Sequence, residues 1–485
     1  MAHPAIQHFG ETASNREREA ANQLEPRSLR TWTPTQAVLA RSAGIWHWTP
    51  EGKRLYDFTS GVLVANLGHN PVSWTQRFCG YMGWPTDLAS DAISQDDDVP
   101  TGYFPGITMT AYNSITPLES LANRRLLASM QNCKGGERMQ QVMWAASGSE
   151  AVQKAIWAAW ARDKSRTSII ATRFGFHGKK GLAGAVTGSE RDHERDPRVK
   201  FVSFPMHECN DIELRDRPLD VSKYRAELDA LWNQYGKQLS MLITEPYLGG
   251  GGSYHPQIEY LQCLQRFCRE KDIVFILDEV QANFGRTGHL YAFESYGLEP
   301  DLVVLGKGLG NGIPVAATVG RRDLFDHMDF GEGSDTWSAN PLCCASVLAT
   351  LDEFESTDVL GNARRSSAVI EAGLVRLKDL PFVAAVRGEA GGMVWGIEMQ
   401  EWGGKSAAEW AGEFVLAAYR GDRSSPTCDG IHLLGPLAKK VVRISPPLVI
   451  APAEAQTAVD LLYRCAASLA VPIGHPLERR SEVLV

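Results

Sequence analysis

Two residues have types and positions that could do covalent chemistry. Lys307 follows the apolar run Leu302-Val303-Val304-Leu305 and stands in Gly306-Lys307-Gly308-Leu309-Gly310-Asn311-Gly312. Glycines at a strand end let the backbone approach a ligand closely. Apolar surroundings desolvate an ammonium, lower its pKa and leave a neutral amine as nucleophile and base. Upstream, Ile273-Val274-Phe275-Ile276-Leu277 reads as a second buried strand, and it ends in Asp278. A strand-end carboxylate followed about 30 residues later by a strand-end lysine suits pyridoxal phosphate (PLP). The lysine forms a Schiff base and the carboxylate pairs with the pyridinium nitrogen.

A phosphate needs a cradle, and Ser147-Gly148-Ser149-Glu150 offers one. It opens the amphipathic run Ala151, Val152, Ala155, Ile156, Ala159, Trp160, directly after the strand candidate 141–146. A helix N-terminus presents unpaired N–H groups and the positive end of a dipole. The loop Gly306–Asn311 fails the dinucleotide pattern G-x-G-x-x-G, and it lacks the G-K-[ST] of a nucleotide phosphate loop.

The elements that must position these residues read as an α/β pattern. Strand candidates are 141–146, 168–171, 241–244, 273–277, 302–305 and 315–319, with helices such as 149–164 and 259–271 between them. Such alternation implies a mostly parallel sheet, with ligands bound beyond its carboxyl ends. The first 30 residues read as a loose arm. A hairpin is expected over 44–58, with its turn at Thr49-Pro50-Glu51-Gly52. After residue 347, helices at 349–356, 364–377, 406–420 and 452–470 mix with strands at 383–387, 393–399 and 441–444. Ser406 suits an N-cap, and 206–220 reads as a surface loop.

Leu277-Asp278-Glu279-Val280-Gln281, Phe284-Gly285-Arg286-Thr287-Gly288 and Gly306-Lys307-Gly308 together resemble the class III aminotransferases, PLP enzymes of fold type I. The likeness runs from about residue 45 to 460 and includes Asp57–Val62 and Gly68-His69-Asn70-Pro71 as a lead-in to the active site. The resemblance implies a large domain around a seven-stranded sheet over 76–346. A smaller α+β domain is expected from 1–75, with the N-terminal arm, and from 347–485. It implies Lys307 and Asp278 as catalytic residues. Ser147, Gly148, Ser149, Phe176, His177, Glu245, Val280, Gln281 and Thr336 would join them around the cofactor. Phe176 and Val280 would lie on the two ring faces, Gln281 would partner the ring hydroxyl, and Thr336 would reach the phosphate of a neighbouring subunit. A homodimer with shared sites follows, with a tetramer compatible. Arg443, Trp337 and Val62 would meet substrate, and Arg443 would take its carboxylate. Members acting on ornithine or 4-aminobutyrate carry a gating Glu where this chain has Gly250, so Arg443 is expected to lack that partner.

The implied reaction moves an amino group from an amine or (ω-)amino acid to a 2-oxo acid in two half-reactions. The same residues would also serve a same-fold decarboxylase, racemase or aminomutase. A non-catalytic binding protein is disfavoured by Lys307, Asp278 and Thr336. The 485 residues, 44% of them hydrophobic, supply two or three cores. A net charge of -8 argues against a nucleic-acid binder. No apolar run approaches the ~20 residues of a membrane span, and the N-terminus shows no secretory h-region. Nine cysteines without Cys-x-x-Cys spacing fit a reducing compartment, so the cytoplasm is expected and no metal is invoked.

Overall fold

The computed structural model describes residues 5–29, 31–85, 99–100, 103–112, 114–192, 196–422 and 429–470. Its strands are β1 (Arg41–Ala43), β2 (Trp46–Trp48), β3 (Arg54–Asp57), β4 (Gln141–Ala145), β5 (Ser168–Thr172), β6 (Val199–Val202) and β7 (Leu239–Thr244). They continue with β8 (Val274–Asp278), β9 (Leu302–Leu305), β10 (Ala316–Gly320), β11 (Val383–Gly388), β12 (Trp395–Met399), β13 (Gly430–His432) and β14 (Val441–Ile444).

Seven strands form the central sheet in the order β4-β10-β9-β8-β7-β5-β6. Only β10 runs against its neighbours, β4 and β9; β5 to β9 are parallel. Alternate residues go to opposite faces of a strand, and the two cores divide accordingly. Ile169, Ile243, Ile276 and Val304 join one core, while Ile170, Leu242, Leu277 and Val303 join the other. Burial on both faces explains why these strands read as unbroken apolar runs. The consequence for chemistry is a meeting point: the carboxyl ends of β4, β5, β7, β8 and β9 lie beside the amino end of β10.

The hairpin β2–β3 forms as expected, with Trp46 opposite Tyr56. It belongs to a four-stranded sheet β1-β2-β3-β13, in which β13, from near the other chain end, pairs parallel with β3. β11, β12 and β14 make a third sheet. The expected boundaries at 75/76 and 346/347 both fall inside helices, Val72–Met82 and Pro341–Ser356. The second helix begins earlier than its apolar pattern suggests because Asn340 caps the amide of Leu342 and Pro341 opens the first turn.

The loose arm expected over the first 30 residues is a correction. Thr12–Leu24 is a helix with Ser14 and Arg18 buried. Its polar composition hid a tertiary anchor: Arg18 donates to Glu11 at 2.6 Å, to Asn15 at 2.6 Å and to the Gln36 carbonyl at 3.0 Å. Ser14 donates to Glu51 of the hairpin turn, by Oγ at 2.6 Å and by its amide at 2.8 Å.

After β3 the chain enters a strained turn. Ser60, Gly61, Val62 and Leu63 have φ of 48°, 58°, 68° and 62°, the left-handed region that penalises L-residues. Buried Asp57 holds the entry, accepting from the Thr59 amide at 2.8 Å, the Thr59 hydroxyl at 2.7 Å and the Ser60 amide at 3.1 Å. His69 Nε2 lies 2.7 Å from its other oxygen and His47 Nε2 3.5 Å from the first. That group has metal-ligating types, yet Asp57 is already occupied by these hydrogen bonds. Ser60 Oγ donates to the Ser445 carbonyl at 2.8 Å. Arg286, of the Phe284–Gly288 motif, donates to Asn66 at 2.6 Å and to the Pro446 carbonyl at 2.7 Å. The lead-in segment is thus tied both to the central sheet and to the C-terminal part of the chain.

Candidate active site

Lys307 follows Gly306, the residue just past the end of β9, and has a φ of 48°. A non-glycine residue held there costs about 1–2 kcal/mol, and strain of this kind gathers at functional sites. The side chain faces a cavity of about 370 Å³ lined by Val64, Ser147–Ser149, Phe176–Gly178, Glu245, Asp278, Val280, Gln281 and Gly312–Val315, among others. Removal from water pulls the Lys307 ammonium down to about 8; the charge of Asp278 opposes the shift and that of Arg443 adds to it. A neutral amine is therefore accessible near physiological pH.

Asp278 ends β8, and its Oδ1 accepts the Val280 amide at 3.0 Å. Its Oδ2 meets His177 Nδ1 at 2.7 Å, with both side chains buried. Burial works against the His177 imidazolium, but the hydrogen bond and charge of Asp278 outweigh it and raise the histidine pKa. His177 therefore backs the carboxylate rather than merely shaping its loop.

Ser147 caps the helix Gly148–Arg162 by accepting the Glu150 amide, and Glu150 reaches back to the amides of Ser147 at 3.2 Å and Ala146 at 3.0 Å. The amides of Gly148 and Ser149 lie in the first turn, ahead of any intrahelical acceptor, at the cavity wall. A Cβ at Gly148 would sit 3.1 Å from Val280 Cγ1, so the glycine permits close packing of this wall against the β8 loop.

Glu245, just after β7, staples two loops. Its Oε2 accepts the Phe176 amide at 2.8 Å and its Oε1 accepts the Gly249 amide at 3.3 Å. Burial lifts its carboxyl to about 7; His177 opposes that shift and Asp278 adds to it. Gln281 lines the cavity, with Nε2 3.4 Å from Glu245 Oε1 and Oε1 accepting from Arg443 Nη1 at 3.2 Å.

Arg443 lies in β14, 3% exposed, behind Gln281 and outside the cavity lining. Without the gating Glu, Arg443 is still not an unpaired cation. Its Nη2 donates to the Gly249 carbonyl at 2.8 Å, so the glycine-rich loop supplies a neutral backbone acceptor. Arg443 Nε has no hydrogen-bond partner, and burial lowers the guanidinium pKa. A Cβ at Gly250 would stand 2.8 Å from Phe176 Cβ, so Phe176 occupies the space that a side chain at 250 needs.

The remaining candidates lie elsewhere. Val62 is 41% exposed on the left-handed turn, and Val64 lines the cavity instead. Thr336 and Trp337 are exposed on the loop before Pro341. The cavity also takes in Gly178 and Ile313-Pro314-Val315, which sequence reasoning did not single out as site residues. The antiparallel β10 brings the latter in, so only its pairing could have shown them.

The family described as Aminotransferase class-III matches residues 106–466. An acetylornithine aminotransferase of Oceanobacillus iheyensis is 27% identical over 445 residues, covering 91% of this chain and 96% of that protein. A 2-aminoadipate transaminase of Pseudomonas putida is 28% identical over 428 residues, covering 87% and 94%. Among solved structures, an (S)-enantioselective omega-transaminase from Thermomicrobium roseum superposes with a TM-score of 0.75 at 23% identity, over 96% of this chain and all of that one. The chain belongs to the class III aminotransferases, enzymes that use PLP to move an amino group from a donor to a 2-oxo acid. The cavity fits that cofactor: helix N-terminal amides suit a phosphate, a carboxylate suits a cationic ring nitrogen, and a desolvated amine suits an aldehyde.

Proposed function

We propose that Lys307 is the cofactor-bearing and proton-transferring residue of this aminotransferase, with Asp278 as partner of the ring nitrogen and His177 holding Asp278. The observation that carries this reading is a strained lysine, lowered to about 8, facing one cavity together with a buried carboxylate–imidazole pair. Bound there, PLP supplies an aldehyde carbon for condensation with amines and a ring that takes up electrons. The amides of Gly148 and Ser149, with the hydroxyls of Ser147 and Ser149, would hold the phosphate. Phe176 and Val280 would flank the ring, and Gln281 would meet its hydroxyl. Glu245 keeps the Phe176 and Gly249 loops in register. Lys307 Nζ, as a neutral amine, would take a proton from the donor carbon and deliver it to the carbon that was the cofactor's aldehyde.

The donor is an amine or amino acid, ω-amino acids included, and the acceptor is a 2-oxo acid. The relatives' names, acetylornithine aminotransferase and 2-aminoadipate transaminase, support an amino acid donor. Arg443 takes a substrate carboxylate once its contacts to Gln281 and the Gly249 carbonyl part, and Trp337 and Val62 meet other parts of the substrate. We assign the central sheet to a large domain and the two smaller sheets to a domain drawn from both chain ends. The enzyme is a homodimer, with exposed Thr336 serving the neighbour's phosphate. Free thiols at the described cysteines support a cytoplasmic setting. No helix among the described residues is long and apolar enough to cross a membrane.

The test is an amino donor screen on PLP-loaded protein, following stoichiometric conversion of a 2-oxo acid to an amino acid. Lys307→Ala is expected to abolish turnover while the fold survives. Turnover within about tenfold of wild type, a barrier change of only about 1.4 kcal/mol, would overturn the assignment.

A further inference from the structure

A lysine buried inside a helix is unusual unless its charge is satisfied. Lys154 lies in the second turn of the helix Gly148–Arg162, the helix whose N-terminus lines the cavity, and it is 3% exposed. Its ammonium has three donors, and three acceptors meet them: the Trp144 carbonyl at 2.6 Å, Asp335 Oδ2 at 2.7 Å and Ser338 Oγ at 2.7 Å. Ser338 Oγ also donates to the Trp144 carbonyl at 2.7 Å and contacts Asp335 Oδ2. Asp335 Oδ1 accepts the amides of Trp337 and Ser338, at 2.9 and 2.8 Å. The carboxylate thereby folds Asp335–Ser338 into a turn and is itself held by Lys154. Burial disfavours the Asp335 carboxylate, but the hydrogen bonds of Lys154 and Ser338 outweigh it and lower its pKa.

Between the pinned ends, Thr336 and Trp337 are exposed. Trp144 belongs to β4, whose end leads into Ser147-Gly148-Ser149. One ammonium thus joins the strand and helix that build this subunit's own phosphate cradle to the loop that presents Thr336 outward.

We propose that Lys154 is a positioning residue that sets the Thr336 loop, and through it the phosphate grip on the partner subunit's cofactor. The proposal rests on the shared-site reading above. It makes the two half-sites of a dimer geometrically dependent: whatever displaces the Gly148–Arg162 helix in one subunit displaces the threonine offered to the other. The carboxylate and the serine hydroxyl fix loop direction, and Lys154 fixes where that loop stands against the sheet.

The test measures PLP retention by the dimer, read as the apparent Kd from cofactor absorbance, for wild type, Thr336→Ala, Lys154→Met and the double variant. Lys154→Met is expected to weaken retention about tenfold, or about 1.4 kcal/mol. The double variant should bind PLP no more weakly than the weaker single variant, because both lesions remove one grip. If Thr336→Ala leaves retention unchanged, the shared-site reading itself fails. If Thr336→Ala weakens retention but Lys154→Met does not, the positioning role alone is overturned. Multiplying losses in the double variant would also overturn it, since Lys154 would then act on the subunit independently of Thr336. Asp335→Asn keeps the shape and removes the charge; should Lys154→Met not fold, it carries the same expectations and the same refutations.

Discussion

Replacing Arg443 by Met separates a binding guanidinium from a structural one, because the two roles predict opposite balances of stability and activity. Arg443 is buried with neutral partners only, a carbonyl at 2.8 Å and an amide oxygen at 3.2 Å, and its Nε is unpartnered. Burying an ion costs several kcal/mol unless a counter-charge offsets it, and an apolar replacement of similar volume is often neutral or stabilising by about 1–4 kcal/mol. The change also leaves the Gly249 carbonyl without its donor, at about 1–3 kcal/mol. Stability is therefore expected to stay within about 3 kcal/mol of wild type in either direction, by that difference. Activity should behave otherwise. A hydrogen bond to a charged group is worth about 1.5–3 kcal/mol, so losing one to a substrate carboxylate lowers kcat/KM about 10- to 150-fold. The assay pairs urea unfolding with kcat/KM for a 2-oxo acid and for the aldehyde that has a hydrogen in place of its carboxylate. The loss should appear with the 2-oxo acid and not with the aldehyde. A stability loss above about 3 kcal/mol with both kcat/KM values unchanged would refute the reasoning and make Arg443 structural.

Val62→Gly relieves one residue of the left-handed turn, about 1–2 kcal/mol, against about 0.5–1 kcal/mol of added chain entropy. The unfolding free energy should rise by up to about 1.5 kcal/mol in urea titration, and a fall would show that the Val62 side chain outweighs the strain. In the cofactor-free protein Lys307 titrates near 8 rather than at its unfolded 10.5, so between those values the unfolded chain binds more protons and stability climbs as pH rises. Lys307→Met should remove that climb, and an unchanged pH–stability curve would place the lowered amine elsewhere. Mixing Lys307→Ala with Thr336→Ala subunits gives dimers with one site carrying both lesions and one carrying neither, so activity should exceed that of either parent. A fully active monomer would exclude the shared site.

The candidate cofactor residues were legible because strand ends punctuate an apolar pattern. Asp278 and Lys307 each close a buried run, and the β8 and β9 bounds fall within a residue of expectation. β6 was not among the expected strands: it pairs with β5 alone at the sheet edge, and Lys200 breaks its apolar run. Tertiary partners were the illegible part. His177 and Asp278 are 101 residues apart, and nothing local to either announces their hydrogen bond. Arg443 was readable as a lone cation because a gating Glu is missing at Gly250, yet it bonds the Gly249 carbonyl and the Gln281 side chain, and neither pairing carries a sequence signal. Lys154 reads as one more helical lysine until Asp335 and Ser338 are brought to it. The N-terminal helix shows the same limit, since its anchors lie in the hairpin turn and at Gln36.

The central assignment is the lysine that carries the cofactor. Borohydride reduction of the PLP-loaded enzyme, followed by peptide mass mapping, reads that residue without relying on turnover. The account predicts one pyridoxyl adduct per subunit, on the peptide containing Lys307, and loss of that adduct in Lys307→Ala. An adduct on another lysine in the wild-type enzyme, or none at any, would contradict it.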